Sequence, residues 1–517
     1  MSKGLVIRLK VVLTIAVHFT LLAIASAAAD AAVTQPGYRA SLYETAWPAD
    51  SANLNRSNTV VNAGLPRGVA AKDVAIDTVE MPFPTFAYTR KDDEVFVIGG
   101  TPLILARYVS QIDGLPVGIN EAAPHITKYN PRTGRQVRLD LDRGTTAPYV
   151  GGAIVHANGF VYVISQSHLY RIEPESMTID KSVDLPVAPG LLRQSTVYNG
   201  LATSSSGELI TKHFSLVGNA SKFLLIDPDS LAITAEVDYA GASPRLTVER
   251  LDNGEEYLYH VNQSETVRFR IEEGSLRLDE KWRSRYDPYQ TRPKEIYKPA
   301  SPVIVKGQAF YATNTVFSAS EPMKIFWQDT EASYSPHARP LTGPDLFAGS
   351  TGPGWSFFHL TIDDDSGIII GNDQGNGTLT AVRVSGDNSI ETMWQKKLRG
   401  SARPAIVSDR GMVYCTDYVD GHNDLVVLDL YTGKELLRVT TPATRATISS
   451  IVASTNNEVY FGSNEPGKAT GLFHRVYVPN PSRTWSTTKT PTGPAEANDP
   501  AGQADDTPSA PLRAVNR

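Results

Sequence analysis

Apolar residues in this chain fall in short runs, separated by turns and often alternating with polar positions. The clearest stretch is Ala153-Ile154-Val155-His156, the turn Ala157-Asn158-Gly159, then Phe160-Val161-Tyr162-Val163-Ile164, followed by Leu169-Tyr170-Arg171-Ile172 and residues 179–185. Period-two alternation bounded by turn residues predicts four consecutive antiparallel strands. One phrase recurs: an apolar strand, an acidic or Asn residue, a tight turn, a second strand. It reads Tyr129-Asn130-Pro131-Arg132-Thr133-Gly134, Ile172-Glu173-Pro174-Glu175-Ser176-Met177, Ile226-Asp227-Pro228-Asp229-Ser230-Leu231 and Leu428-Asp429-Leu430-Tyr431-Thr432-Gly433-Lys434. Asn, Asp, Pro and Gly in these places are hairpin chemistry. A repeat of about 40–45 residues is what a β-propeller blade leaves in a sequence.

The repeat delimits about eight units, near residues 83–141, 153–185, 195–240, 244–285, 301–341, 355–397, 403–440 and 449–478. No segment holds a 3.6-residue apolar period, so helix is expected to be minor. The fold class is all-β: a single propeller of about eight four-stranded blades over residues 83–478, with seven blades as the alternative. Residues 30–82 lack a sustained pattern and are expected to wrap the propeller or add a strand to its last blade. Residues 479–517 are rich in Pro, Thr, Ala and Asp and read as a disordered tail. Tyr162, Tyr259, Tyr311, Tyr414 and Tyr460 recur on the second strands, where an aromatic stripe forms inter-blade core.

Charge and targeting narrow the setting. A net charge of -6 argues against a nucleic-acid partner. Lys3, Arg8 and Lys10 precede an apolar run at residues 11–25 and then Ala-x-Ala sites, which predicts a cleaved signal peptide over residues 1–29. The run is too short for a membrane span. The expectation is a periplasmic or secreted monomer with no transmembrane segment after cleavage. The lone Cys415, on an apolar strand, reads as buried filler. Asn55, Asn219, Asn262 and Asn376 sit in Asn-x-Ser/Thr sequons, which keep an extracellular eukaryotic source open.

The Asp429-Leu430-Tyr431-Thr432-Gly433-Lys434 turn resembles the D-x-x-T-G-K turn of the PQQ-binding-like (quinoprotein-dehydrogenase-like) propeller superfamily. Asn130-Pro131-Arg132-Thr133-Gly134-Arg135 is a second match, and the Glu173 and Asp227 copies are looser. The resemblance implies either PQQ-dependent oxidation or a scaffold without catalysis. Those dehydrogenases repeat a Trp beyond the turn that locks neighbouring blades, and Glu435-Leu436-Leu437-Arg438 holds none. With one Cys, a vicinal disulfide is excluded, and C-x-x-C-H haem attachment is absent.

In a propeller the innermost strands line a central channel, and residues at their starts face one mouth. That rule selects Tyr198, Asn199, Arg245, Lys298, His359 and Arg403 as ligand-binding candidates, with Ser301, Phe358 and Ser449 beside them. Their cations would form a funnel for carboxylate or phosphate. His156 and His359 are too few inner-strand histidines for a metal cluster. Asp363-Asp364-Asp365 reads as a solvated hairpin turn rather than a calcium loop, and the aromatic-basic connector at residues 286–298 as a cover for a mouth. Two functions follow. The first is a binding or scaffold propeller for a small anionic ligand or a periplasmic protein; the second is an oxidoreductase using PQQ or a channel metal.

Overall fold

The computed structural model describes residues 34–100, 123–141, 150–214, 220–241, 244–262, 265–285, 300–313, 323–331, 339–341, 354–384, 390–400, 402–443, 449–464 and 470–479. The expected signal peptide, Lys298, the 286–298 connector, Asn219 and all but the first residue of the expected tail lie outside them.

Eight sheets stand in a ring, each with four antiparallel strands that run from inner to outer in chain order in seven of them, and one sheet adds Thr59–Val60 in parallel on its inner strand Ala405–Val407. The inner strands are Pro84–Thr89, Val150–Val155, Tyr198–Thr203, Thr247–Arg250, Val303–Val305, Thr361–Ile362, Ala405–Val407 and Val452–Ser454, which number blades 1 to 8. Neighbouring inner strands touch in that order, and blade 8 meets blade 1 again. Closure is sealed by Ala75–Met81, which pairs antiparallel with Gly471–Tyr477 as the outer strand of blade 8. The last blade is thus built from both ends of the ring, so separating blade 8 from blade 1 breaks a backbone ladder.

The five second-strand tyrosines are all buried, 0–1 % exposed. Two of the hydroxyls cross to a neighbouring blade, Tyr162 to the Pro228 carbonyl (2.9 Å) and Tyr311 to Ser284 (2.8 Å), while Tyr259 and Tyr460 donate to Glu249 and Glu458 of their own blades. The recurring turn holds itself together: Asn130 Oδ1 accepts the Arg132 and Thr133 N–H groups, and Gly134 takes φ +69°. In the copies without Gly, Met177 and Leu231 adopt φ +55° and +61° while burying their side chains.

The same turns are receptors. Lys128 of blade 1 donates to the Pro174 carbonyl of blade 2 (2.8 Å), and Arg171 of blade 2 to Pro228 of blade 3 (3.1 Å). Arg475 of blade 8 reaches Pro131 of blade 1 (2.6 Å). Two tryptophans do this work elsewhere: Trp282 Nε1 donates to Asp329 of blade 5 (3.1 Å) and Trp394 Nε1 to Leu430 of blade 7 (2.8 Å). A Cβ at Gly433 would stand 2.6 Å from the Trp394 ring, so the glycine is where the indole lies. The locking Trp sought after the turn sits instead in the preceding blade.

Residues 46–60 are continuously buried, because this segment enters the centre of the ring. Trp47, Pro48, Leu54, Asn55, Ser57 and Asn58 offer their carbonyls to the N–H groups of Thr89, Val155, Val248, Ile304, Ile362 and Ile406, at 2.8–3.0 Å, in blades 1, 2, 4, 5, 6 and 7. Gly64 N–H donates to Ser454 of blade 8, and Thr203 of blade 3 donates to the Ala40 carbonyl. Inner strands carry an unpaired edge, and a buried unpaired N–H is costly. The segment meets one such N–H in each of six blades. Turns with φ near +60° at Ala52, Arg56 and Asn58 let it curl through the centre.

Candidate functional site

Three guanidinium groups gather beside the curled segment: Arg56 from the segment, Arg245 just before the blade 4 inner strand, and Arg403 before that of blade 7. Asp50, on the segment, forms an ion pair with Arg245 and accepts the Tyr88 hydroxyl at 2.5 Å. Asn199 Oδ1 accepts Arg245 Nε–H (3.0 Å). Arg403 Nη1 donates towards Ser51 Oγ and His359 Nε2, both at 2.9 Å, and Nη2 to Ser450 Oγ at 2.5 Å. His359 Nδ1 lies 2.7 Å from the Leu360 carbonyl, which can only accept, so Nδ1 carries the proton and Nε2 receives. The Phe86 ring faces both Arg245 (4.6 Å) and Arg403 (5.8 Å), and Phe358 faces Arg403 (5.7 Å).

Among the described residues, Asp50 is the one carboxylate in ion-pair contact with any of the three arginines. Burial pushes its carboxyl up, but Arg245, Arg56, the Tyr88 hydrogen bond and Arg403 outweigh it and hold Asp50 below the usual range. Burial pushes Arg56 down to about 10, with Asp50 opposing and Arg245 assisting. Burial and then Arg56 lower Arg403. Guanidinium groups stay protonated near neutrality, so the centre stores an electrostatic cost. Burial, Arg56 and Arg403 hold His359 well below its ordinary value, which keeps it neutral. The Nε atoms of Arg56 and Arg403 are buried without a hydrogen-bond partner. Nearby Lys212, fully buried in blade 3, is pushed down to about 7 by burial and Arg245.

Of the residues the inner-strand rule selects, Asn199 with Arg245 and His359 with Arg403 form two contacting pairs. Tyr198 stands apart: its hydroxyl donates to the Pro186 carbonyl (2.8 Å) and its ring packs on His213 in the blade 3 core. Ser301 supports the site by donating to the Arg245 carbonyl, and both serines meet Arg403: the Ser449 carbonyl accepts its backbone N–H (2.9 Å) and the Ser450 hydroxyl its guanidinium. Sequence reasoning missed Asp50, Ser51, Arg56, Phe86 and Tyr88. The one signal for the segment is its composition, Asp50-Ser51-Ala52-Asn53-Leu54-Asn55-Arg56-Ser57-Asn58, small and turn-prone without a strand period.

Other flagged features resolve as structure. Cys415 is buried, and burial pushes its thiol up. His213, His260 and His474 are held below the ordinary histidine value by burial. In the acidic turn Asp365 is exposed, Asp363 is buried, and half-buried Asp364 accepts Ser57 Oγ (2.7 Å) and grips the central segment. Asn55 and Asn262 are buried, so their sequons are closed to a glycan in the folded protein. Among the described residues no three His, Cys, Asp or Glu side chains form a group able to hold a metal ion, and no helix is long and apolar enough to cross a membrane.

No family model matches the chain, and no curated protein matches it. Among solved structures it is similar to the dihydro-heme d1 dehydrogenase NirN at 12 % identity, over 72 % of this chain and 68 % of that one, with TM-score 0.45. It is also similar to virginiamycin B lyase from Staphylococcus aureus at 10 % identity, over 78 % and 100 %, with TM-score 0.38. The Pseudomonas aeruginosa periplasmic gluconolactonase PpgL is similar at 11 % identity, over 70 % and 86 %, with TM-score 0.37. Likenesses this distant carry no inference about chemistry.

Proposed function

We propose that the protein is an exported binding propeller that takes a small anionic ligand at the arginine-lined centre of its ring. The observation that carries this reading is the pair of buried guanidinium groups of Arg56 and Arg403, close enough to repel each other, whose Nε atoms have no hydrogen-bond partner. A guanidinium fork suits carboxylate and phosphate oxygens, and low-dielectric surroundings strengthen the attraction. Export rests on the basic and apolar pattern of residues 1–29. Membership of the PQQ-binding-like propellers is supported by the D-x-x-T-G-K turn and by Trp394 lying on Gly433. PQQ itself fits poorly in the channel: residues 46–60 fill the centre, with Asp50 on Arg245 and Ser51 on Arg403. No quinone step is assigned to these residues.

Calorimetric titration with inorganic phosphate, succinate and citrate at constant ionic strength tests the reading. Wild-type protein is expected to bind at least one of them, and Arg403→Ala is expected to weaken that binding by about tenfold or more, the loss of one charge-assisted contact. A folded wild-type protein indifferent to all three anions would overturn it.

A further inference from the structure

Blades 2, 4 and 8 share one cross-strand frame. A tyrosine of the second strand stands opposite an arginine of the third: Tyr162 with Arg171, Tyr259 with Arg268, Tyr460 with Arg475. Each arginine reaches a backbone carbonyl of the following blade, at Pro228, Thr330 and Pro131. The frame needs no carboxylate on its tyrosine, since Tyr162 donates to the Pro228 carbonyl instead. Where blade 8 adds one, Glu458 takes both the Tyr460 hydroxyl and an ion pair with Arg475 at 2.5 Å. Blade 4 differs. Glu249, on its inner strand, accepts the hydroxyls of Tyr259 (2.8 Å) and Thr330 (3.3 Å), but Arg268 is spent on Asp279 (2.8 Å). Glu249 is 9 % exposed and has no ion-pair partner among the described residues.

The residue lines a cavity of about 310 Å³ between blades 4 and 5, whose wall also holds Arg250, Asp252, Lys306, Gln308 and Glu331. The two cations of the wall have other acceptors: Lys306 Nζ donates to the Asp365 carbonyl (2.6 Å) and Arg250 Nε to the Gly254 carbonyl (3.3 Å). Burial pushes the Glu249 carboxyl from the ordinary 4.5 up to about 7, against the Tyr259 and Thr330 hydrogen bonds and Arg268, with Glu331 assisting. A buried carboxylate without a counter-ion is costly until a cation joins it. We propose that this cavity binds a small primary amine as its ammonium ion, with Glu249 as the counter-charge and the exposed carboxylates of Asp252 and Glu331 at the rim. An ammonium brings three N–H donors to a carboxylate whose oxygens each accept a single hydroxyl. Among the described residues no three His, Cys, Asp or Glu side chains form a group able to hold a metal ion, which favours an organic cation. The inference stands apart from the anion-binding reading and survives its failure.

Calorimetric titration of the full chain with butylammonium and putrescine, at constant ionic strength and at pH 6 and pH 8, tests it. Wild type is expected to bind at least one of them. Below pH 7 the amine must displace a proton from Glu249, so binding should be about tenfold tighter at pH 8 than at pH 6. Tetramethylammonium carries the same charge without an N–H and is expected to bind at least about tenfold weaker. Glu249→Gln keeps an acceptor for Tyr259 and should weaken amine binding by about tenfold or more while flattening its pH dependence. A wild type indifferent to both amines would overturn the proposal, as would a folded Glu249→Gln that binds them with unchanged affinity and pH profile. A measurement on wild type alone covers the case in which the variant is unstable. Titration at pH 7 in two buffers of different ionisation enthalpy should show about half a proton released per amine bound, because Glu249 is then half protonated when free. Binding without proton release would also sink the assignment to Glu249.

Discussion

Arg403 is 2 % exposed and yet donates to Ser51, His359 and Ser450, three residues from three parts of the chain. At this scale the strand period explains what the inner-strand rule found and what it misassigned. Successive side chains of a strand point to opposite faces. Tyr198 and Asn199 therefore diverge, the first into the blade 3 core and the second onto Arg245. Asp364 shows the reverse: its residue type suggested solvent, and position made it an anchor for Ser57. Burial raises its carboxyl from the ordinary 3.8 to about 7, against the Ser57 hydrogen bond and with Asp363 assisting. The folded state then holds a proton that the unfolded chain has released between about pH 4 and 7. Its stabilising contribution is full below about pH 4 and declines as pH rises towards 7. Asp364→Asn should remove that part of the slope, read as the difference between variant and wild-type urea midpoints across pH 4 to 8.

Between elements, the recurring turn serves twice, closing its own hairpin and offering a carbonyl to the preceding blade. Pro131, Pro174 and Pro228 are acceptors because proline fixes the turn while leaving its C=O free. The donors Lys128, Arg171 and Arg475 lie one blade earlier, in positions that look like surface charge along a strand. Arg171→Met keeps the stem but leaves Pro228, Asp229 and Asp180 without the donor, and is expected to cost about 1–3 kcal/mol in denaturant unfolding. Trp394→Phe removes the bond to Leu430 and is expected to cost a similar amount, about 1–3 kcal/mol. A loss under 0.5 kcal/mol from both would show that the blades lock by apolar packing alone, as surface substitutions of about that size do.

For the whole molecule, the central segment is a shared partner of the ring, since its carbonyls answer inner-strand N–H groups in six blades. A chain beginning at residue 66 is expected to lose cooperative unfolding, followed by circular dichroism and calorimetry, because those edges lose their partners and the centre of the ring loses its filling. Addition of a peptide spanning residues 34–65 should restore it at least in part; a stable truncated ring would show that the segment is dispensable. Blade number, strand order within blades, the tyrosine stripe and the approximate positions of Arg245, His359 and Arg403 were legible in the sequence. Each follows from a short local period and from turn residues whose conformational preferences act within a few positions. The filling of the centre, the pairing of Asp50 with Arg245, and the convergence of Arg56 on the other arginines were not. They join residues some 200 to 350 positions apart through an irregular segment with no period, as in the bonds from Arg245 to Asp50 and from Arg403 to Ser51. Local chemistry determined the blades; only closure of the ring around its own N-terminal segment decided what charge stands at its centre.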